Sequence, residues 1–394
     1  MATTLPTLPF PRQSALHFPP ELARLQAEAP IHRVTTRVGD EAWLVTGYHE
    51  LRALMADPRM GRSHPDPANA ARVTDSALIG GPSGDFDTEP TDTTRLRRLL
   101  QPLFSAKRMR LLRTHVEELT TELLDRMADN GSPADLHQAV ALPLPILVIC
   151  ELLGVPYADR ADFRAWSQDA GIVDDHARSQ EGMRQLTAYI RRLVERKRQD
   201  PGDDVLSALC QADNGTVPDA EVTRLGAALL FAGHETTVTR IGYGTVLLLT
   251  NPDQRDAIRD DPDLLPKAVE EILRSQNRGG STLPRYARED VEIAGVTIKA
   301  GDLVILELGA GNHDPDIYDE PERFEVARTG RTHLGFGHGL HYCIGAPLAR
   351  IELQSVFGQL IPRFPALRLD VPVEELRFHD DQLTRGLLSL PVAW

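Results

Sequence analysis

Residues 333–350 read HLGFGHGLHYCIGAPLAR, a stretch that surrounds one cysteine with glycines and histidines and then changes to an Ala/Leu/Arg pattern. The chain has 394 residues but only three cysteines, Cys150, Cys210 and Cys343. An odd, low count does not predict a disulfide framework and is typical of proteins in a reducing compartment. The unusual surroundings of Cys343 therefore call for a chemical explanation.

The pattern Phe-Gly-x-Gly-x-His-x-Cys-x-Gly over residues 336–345 favours an iron-binding thiolate over a buried structural cysteine. A structural cysteine needs no glycines. A thiolate ligand must be held deprotonated, and a helix N-terminus with its backbone N–H groups does this. Glycines let the loop approach a flat macrocycle closely, and Phe336 can keep water from the sulfur. Zinc bound by His338, His341 and Cys343 is the alternative, but a structural zinc site needs four ligands and no matching pair stands out elsewhere.

Composition restricts the class of protein. The net charge of −14, from 43 basic and 57 acidic residues, argues against a nucleic-acid partner. The N-terminus shows no signal peptide, and no segment approaches the roughly 20 apolar residues of a membrane span. We therefore expect a cytoplasmic protein with no membrane partner.

Periodicity predicts a mainly α fold with small β-sheets in one domain, residues 1–394. A large hydrophobic fraction, 41%, allows a sizeable core, and no linker divides the chain. The predicted segments, in chain order, are a hairpin over 34–46, a long loop over 60–92, helices from 95 to about 274 that include an apolar helix over 222–250, strands within 291–308, and a last helix from near Cys343 to about Leu360.

The cysteine stretch matches the haem-binding loop of the cytochrome P450 family throughout, and nearly the whole chain resembles these haem-thiolate monooxygenases. The resemblance implies their triangular, mostly helical single-domain fold. It makes Cys343 the axial iron ligand and His341 a contact to a haem propionate. Phe336, Gly337 and Gly345 would then line the haem.

The sequence AGHETT, Ala232 to Thr237, resembles the oxygen-activation helix of that family. By this resemblance Thr236 hydrogen-bonds the oxygen species at the iron and Glu235 helps to deliver protons to it. Ala232 and Gly233 would lie against the haem, and Gly233 can loosen the helix to admit water. The ordinary alternatives are an intrahelical hydrogen bond for Thr236 and a salt bridge for Glu235.

Two arginines resemble the family's propionate ligands, Arg97 in TDTTRLRRLL and Arg285 in LPRYARED. A buried carboxylate needs a cation, and arginine offers a two-pronged donor. The family has a histidine four residues before the first arginine, where this chain has Thr93. We therefore expect the contact from Arg97 but not from Thr93.

Resemblance also selects Glu271 and Arg274 as the family's Glu-x-x-Arg pair and Arg323, in EPERF, as the third member of a buried ion network. The network would be structural and would hold the core around the haem. The Glu-x-x-Arg spacing is common along this chain, so only its position after the long apolar helix selects the pair.

The implied reaction inserts one oxygen atom from O2 into an apolar or amphipathic small organic molecule, by hydroxylation or alternatively by epoxidation or oxidative coupling, in bacterial secondary metabolism. A haem-binding sensor or electron carrier is the second hypothesis. The chain has no dinucleotide-binding motif, so a ferredoxin and its NAD(P)H-dependent reductase would supply electrons to a monomer. Arg95, Arg98, Lys107 and Arg108 are candidates for a basic ferredoxin-binding patch. The substrate-pocket candidates, by family position, are Ala228, Phe231, Ser281, Leu283, Leu387 and Leu388.

Overall fold

A computed structural model describes residues 5–11, 16–275 and 282–394. The helices are α1 (Pro20–Glu28), α2 (Tyr48–Ala56), α3 (Glu89–Leu100), α4 (Ala106–Asn130), α5 (Pro143–Leu153), α6 (Arg160–Ala170), α7 (His176–Gln199), α8 (Val205–Gly215), α9 (Asp219–Thr250), α10 (Pro252–Asp260), α11 (Leu265–Ser275), α12 (Leu308–Asn312) and α13 (Ala346–Arg363). The strands are β1 (Ile31–Thr35), β2 (Glu41–Val45), β3 (Met60–Gly61), β4 (Ala134–Asp135), β5 (Thr282–Ala287), β6 (Val291–Ile293), β7 (Val296–Ile298), β8 (Leu303–Glu307), β9 (Arg368–Leu369) and β10 (Pro391–Ala393). The prediction of a mainly helical chain with small sheets is confirmed.

The first of two compact units is built from three chain segments, Met1–Leu96, Val173–His176 and Glu270–Cys343. It contains a five-stranded sheet in the order β1-β2-β8-β5-β3. The pairing is antiparallel except between β2 and β8, which run parallel. The predicted hairpin is confirmed: Val34 faces Ala42 across β1 and β2, and Gly39 turns the chain with φ of +95°.

Both faces of this sheet are covered, so all five residues of β8 are buried. Successive side chains of β8 point to opposite faces of the sheet. Val304 and Leu306 join the cluster that includes the α2 residues Leu51 and Leu54. Leu303 and Ile305 join a second cluster, which includes Leu22 and Leu25 of α1.

The second unit comprises Arg97–Ile172, Ala177–Val269 and Ile344–Trp394. Its longest helix, α9, packs against α5 and α13, and α4 packs against α13. Because α9 is covered on most sides, its apolar residues follow no single stripe. A small sheet in the order β4-β10-β9 completes the unit. Among the described helices, none is both long and apolar enough to cross a membrane.

Several predicted boundaries differ from the structure. The predicted loop over 60–92 ends earlier because α3 begins at Glu89, whose carboxylate accepts the backbone N–H groups of Arg62 and Ser63. The last helix begins at Ala346 rather than near Cys343 and continues through Pro362 to Arg363. Proline is tolerated in a first helical turn, so Pro347 fits a start at Ala346.

Candidate functional site

The cysteine loop of the first unit is held in shape by its own backbone. The N–H of Gly337 donates to the carbonyl of Leu334 at 2.8 Å, and the N–H of Cys343 donates to the carbonyl of Phe336 at 2.9 Å. Gly337 and Gly339 have φ of +72° and +70°, in the region that favours glycine. The loop therefore closes on itself and leaves Cys343 exposed at its end.

Gly339 is also required by its neighbour. A Cβ atom at this position would lie 2.8 Å from the carbonyl oxygen of Met55, at the end of α2. A short 3₁₀ turn over Gly339–His341 follows, in which His341 is half-buried. Gly345 caps α13 with φ of −80°, which any residue can adopt, so its conformation does not explain the glycine.

Three residues that the sequence analysis missed fix the start of the loop. Asn312 accepts the N–H of Leu334 at 2.6 Å through Oδ1. His333 accepts the N–H of Gly335 at 3.0 Å through Nδ1, while its Nε2 lies 3.1 Å from the Glu270 carboxylate. This pairing assigns the proton to Nε2. His333 lies next to the loop in sequence and Glu270 lies next to Glu271, whereas no sequence signal points to Asn312.

The ion network is present, and Glu271 and Arg274 are its buried centre. The side chains are 3% and 2% exposed, and two hydrogen bonds of 2.7 and 2.8 Å join them. Arg328 adds a contact of 3.2 Å to Glu271. Arg274 also donates to the carbonyl of Asn312 at 2.8 Å. Because the Asn312 side chain holds Leu334, the network supports the cysteine loop through Asn312.

The expectation that Arg323 is the third member of this buried network needs correction. Its side chain is 58% exposed and pairs with Glu320 at 2.9 Å. Its carbonyl oxygen contacts the network, accepting from Arg274 at 3.3 Å and from Arg328 at 2.8 Å. The turn around 320–323 directs the backbone inward, and Arg328, five residues later, provides the cation.

Arg285 on β5 is a buried cation. Its guanidinium donates to the carbonyl of Pro284 at 2.8 Å, and no carboxylate in the described ranges lies within ion-pair distance of it. Burial lowers the pKa of Arg285 to about 10, and the charge of Arg62 adds to this effect. Glu89 opposes it but is already bound by the backbone of Arg62 and Ser63. A buried cation of this kind requires an anionic partner, as a haem propionate would be.

In the second unit, Thr236 and Glu235 lie on a continuous α9. The hydroxyl of Thr236 donates to the carbonyl of Ala232 at 2.8 Å, which is the intrahelical bond named above as the ordinary alternative. A Cβ at Gly233 would lie 2.7 Å from Cδ1 of Ile149 on α5, so a larger residue here would require the Ile149 side chain to shift. Glu235 forms no salt bridge with a lysine or arginine among the placed residues.

Glu235 is a carboxyl group with a strongly altered acidity. Burial raises its pKa to about 7, and the charge of Arg164 only partly offsets this. Its Oε1 lies 3.3 Å from Nδ1 of His234, yet neither atom has a hydrogen-bond partner in the protein. Burial lowers the pKa of His234 to about 3, so this contact is not an ion pair. Glu235 can therefore gain and lose a proton near neutral pH.

The remaining candidates are distributed as follows. Ala228, Ala232 and Thr236 are exposed and share one face of α9 at four-residue spacing, whereas Phe231 is buried. In the second unit Leu387 is buried against Gly242, Leu388 is exposed, and Arg97 is half-buried on α3. In the first unit Leu283 is half-buried and Thr93 is buried. Ser281 lies outside the described residues.

The described residues do not provide a set of ligands for zinc. Over residues 5–11, 16–275 and 282–394, no three or more Cys, His, Asp or Glu side chains are grouped to hold a metal ion. An exposed thiol at Cys343 and a buried cation at Arg285 instead fit a haem, whose iron Cys343 would bind and one of whose propionates Arg285 would hold.

Comparison with known proteins agrees with this chemistry. The family described as "Cytochrome P450" matches residues 170–384. Pentalenolactone synthase of Streptomyces exfoliatus is 42% identical over 99% of both chains, and mycinamicin IV hydroxylase/epoxidase of Micromonospora griseorubida is 41% identical over 98% of both. The structure of substrate-free PimD, a pimaricin epoxidase, superimposes with a TM-score of 0.88 at 42% identity over 99% of both chains. The chain therefore belongs to the cytochrome P450 family and is a monooxygenase with the P450 fold.

Proposed function

We propose that this enzyme binds haem b through the thiolate of Cys343 and inserts one oxygen atom from O2 into a small, apolar or amphipathic intermediate of a bacterial natural product. The observation that carries the proposal is the closed cysteine loop, in which Gly337 and Gly339 adopt left-handed backbone angles and present an exposed thiol. The relatives above support the substrate class: they are named as a pentalenolactone synthase, a mycinamicin IV hydroxylase/epoxidase and an epoxidase of the polyene macrolide antibiotic pimaricin.

The haem, when bound, supplies the oxygen chemistry, and the protein holds it and manages protons. Arg285 is assigned to one propionate because its buried charge lacks a carboxylate partner among the described residues. His341 and Arg97 are proposed as further propionate contacts, with Phe336, Gly337, Gly345, Ala232 and Gly233 lining the macrocycle. The network of Glu271, Arg274 and Arg328 keeps the loop in place through Asn312.

Glu235 and Thr236 are proposed to carry protons during turnover. A carboxyl group with a pKa of about 7 gives up and regains the proton on its oxygen at physiological pH. The Thr236 hydroxyl donates to Ala232, so its oxygen lone pairs remain available to accept a hydrogen bond. In such a transfer the Thr236 hydroxyl turns away from Ala232 and gives its proton to an acceptor at the exposed face of α9, while its oxygen takes up the proton that Glu235 releases.

The substrate is proposed to lie along that exposed face. Ala228 and Ala232 present small apolar groups one turn apart, which leaves space for a bulky ligand. Leu283, Phe231, Leu387, Leu388 and Ser281 are kept as proposed pocket residues. Hydroxylation is the proposed reaction; epoxidation and oxidative coupling are distinguished from it by the structure of the product.

Electrons are proposed to come from NAD(P)H through a ferredoxin reductase and a ferredoxin to a cytoplasmic, single-domain monomer. Lys107 is exposed and available for an acidic partner. Two other members of the basic patch have acidic neighbours, since Arg98 lies 3.3 Å from Asp213 and Arg108 lies 3.5 Å from Asp203. Reversing Arg98 and Lys107 to Glu should slow reduction by ferredoxin at low salt. An unchanged rate would remove this surface from the proposal.

The central experiment combines spectroscopy with turnover. The reduced, carbon monoxide-bound enzyme should show the thiolate-type absorption band, and Cys343→Ala should lose it. A surrogate ferredoxin system and a panel of natural-product scaffolds should then give substrate-dependent NAD(P)H consumption. A thiolate spectrum without any such consumption would favour a haem sensor or electron carrier.

A further inference from the structure

Five polar side chains on and next to α9 have buried atoms without hydrogen-bond partners in the protein. They belong to three elements: a π-helical turn over His137–Ala141, helix α6 and helix α9. The atoms are Nδ1 of His137, Nε of Arg164, Oγ of Ser167, both ring nitrogens of His234 and Oε1 of Glu235. They form more than half of the eleven such atoms found in the described part of the chain.

These groups are close enough to influence one another. The charge of Arg164 lowers the pKa of His137, of His234 and of Glu235, and His137 lowers the pKa of His234. Ser167 lies one turn after Arg164 on α6, so both point to the same side of that helix. The groups are therefore one cluster rather than separate defects.

Two of the residues that pack beside the cluster are apolar. The ring of Phe163 meets His234 edge to face at a centroid distance of 6.0 Å. On the α5 side, the residue against Gly233 is the apolar Ile149. Asp135 and His379 influence the pKa of His137 but not those of His234 and Glu235.

Buried polar atoms in proteins almost always find a partner in the protein or in ordered water. A neutral imidazole offers one donor and one acceptor, and the His234 ring is fully buried. The direct contact of 3.3 Å between Nδ1 and Glu235 can engage only one of its two nitrogens. The other nitrogen, with His137, Arg164 and Ser167, requires water, and such internal sites bind water through two to four polar groups.

We propose that the π-helical turn, α6 and α9 enclose an internal water site, and that His234 is a positioning residue that orients the Glu235 carboxyl through this site. Water there accepts from Nε–H of Arg164 and donates to Oε1 of Glu235. A hydrogen bond from this water stabilises the ionised carboxylate and fixes its orientation. The inference rests on the proposed role of Glu235 as a proton carrier, and it adds the residue and the water site that position that carboxyl.

The test is an infrared titration of the holoenzyme, with the Glu235 carboxyl band identified by its loss in Glu235→Gln. In the wild type the band should titrate near pH 7. His234→Phe replaces the polar ring by an apolar one and removes water, so the midpoint should rise by about one pH unit. His234→Gln keeps a donor and an acceptor and should bring the midpoint back towards the wild-type value.

Thr223→Val is the matched control, because Thr223 is another buried, unpartnered hydroxyl on α9 outside the cluster. It should leave the Glu235 midpoint unchanged. An unchanged midpoint in His234→Phe, or an equal rise in Thr223→Val, would overturn the proposal.

A measurement on the wild type covers the case in which His234→Phe does not fold. In the carbon monoxide-bound holoenzyme, ¹⁵N NMR of labelled histidine should show the unprotonated nitrogen of His234 with the shift of a hydrogen-bonded acceptor. A shift typical of a free acceptor would refute the water site. Both readouts are independent of turnover, so a failure of the oxygenase assay would count against the proposed function and not against this inference.

Discussion

Arg274→Met is expected to lower the free energy of unfolding by about 3 to 5 kcal/mol, the cost of breaking a buried ion pair. The guanidinium makes two hydrogen bonds to Glu271 and one to the carbonyl of Asn312, and its side chain is 2% exposed. Methionine matches much of the side-chain length but none of these bonds. Arg328, at 3.2 Å, remains as a cation for the Glu271 carboxylate, so the cost should not exceed this range.

The measurement is urea unfolding of the haem-saturated enzyme, followed by circular dichroism. With a slope of about 3 kcal/mol per M, the midpoint should fall by roughly 1 to 1.7 M. Arg323→Met is the matched control, because that side chain is 58% exposed in a surface ion pair. Such pairs contribute at most about 1 kcal/mol, so its midpoint should fall by no more than roughly 0.3 M. Haem must be saturating, since a bound cofactor raises apparent stability.

Arg328→Met should destabilise the protein more than Arg323→Met. If Arg323→Met produced the larger loss, the assignment of Arg328 to the buried network would be refuted. If Arg274→Met left the midpoint unchanged, the network would have no structural role. The carbon monoxide spectrum of the Arg274 variant provides an independent check, because a loosened Asn312 should reduce the fraction of enzyme with the thiolate-type band.

Three further predictions concern the proposed site. Thr236→Ala should retain haem and the thiolate spectrum but release peroxide, so product formed per NAD(P)H should fall; fully coupled turnover would contradict the proton-carrying role. Arg285→Met should weaken haem binding roughly ten- to a hundredfold, the effect of losing a hydrogen bond to a charged group, and unchanged affinity in a haem-transfer assay would exclude the propionate contact. For Glu235 the folded-state pKa of about 7 exceeds the unfolded value of 4.5, so the folded protein binds more protons and loses stability as pH rises between these values. The free energy of unfolding of the wild type should therefore fall by about 3 kcal/mol between pH 4.5 and 7, and Glu235→Gln should not show this fall. An identical pH dependence in both proteins would show that the pKa of the Glu235 carboxyl is not raised.

The features that could be predicted from the sequence are those in which local residues determine local structure. The turn at Gly39, the end of α4 at Gly131 and the positive φ angles of the cysteine loop all follow from glycine at the required positions. The apolar run over 222–250 predicts α9 to within three residues at its start and correctly at its end.

The features that could not be predicted depend on chain segments that are distant in sequence. The start of α3 at Glu89 depends on N–H groups near residue 62, which the loop composition does not reveal. The choice of Arg328 over Arg323 depends on which way a turn directs its backbone. The pattern AGHETT assigns no role to His234, because the position of this residue is determined by burial against Phe163 of α6, a contact distant in sequence.

The pairing of β2 with β8 has a consequence for biosynthesis. Trp43 lies opposite Val304, about 260 residues later in the chain. At a translation rate of about 5 to 20 residues per second, roughly 13 to 50 s pass before the partner strand has been made. During that time the edge of β2 that pairs with β8 has no partner strand. The apolar residues Leu44 and Val45, which are buried in the folded protein, lack the β8 residues that lie beside them there. Nascent chains that stop before β8 should therefore aggregate or bind chaperones, and synthesis of this enzyme should be sensitive to ribosome stalling across its central helices.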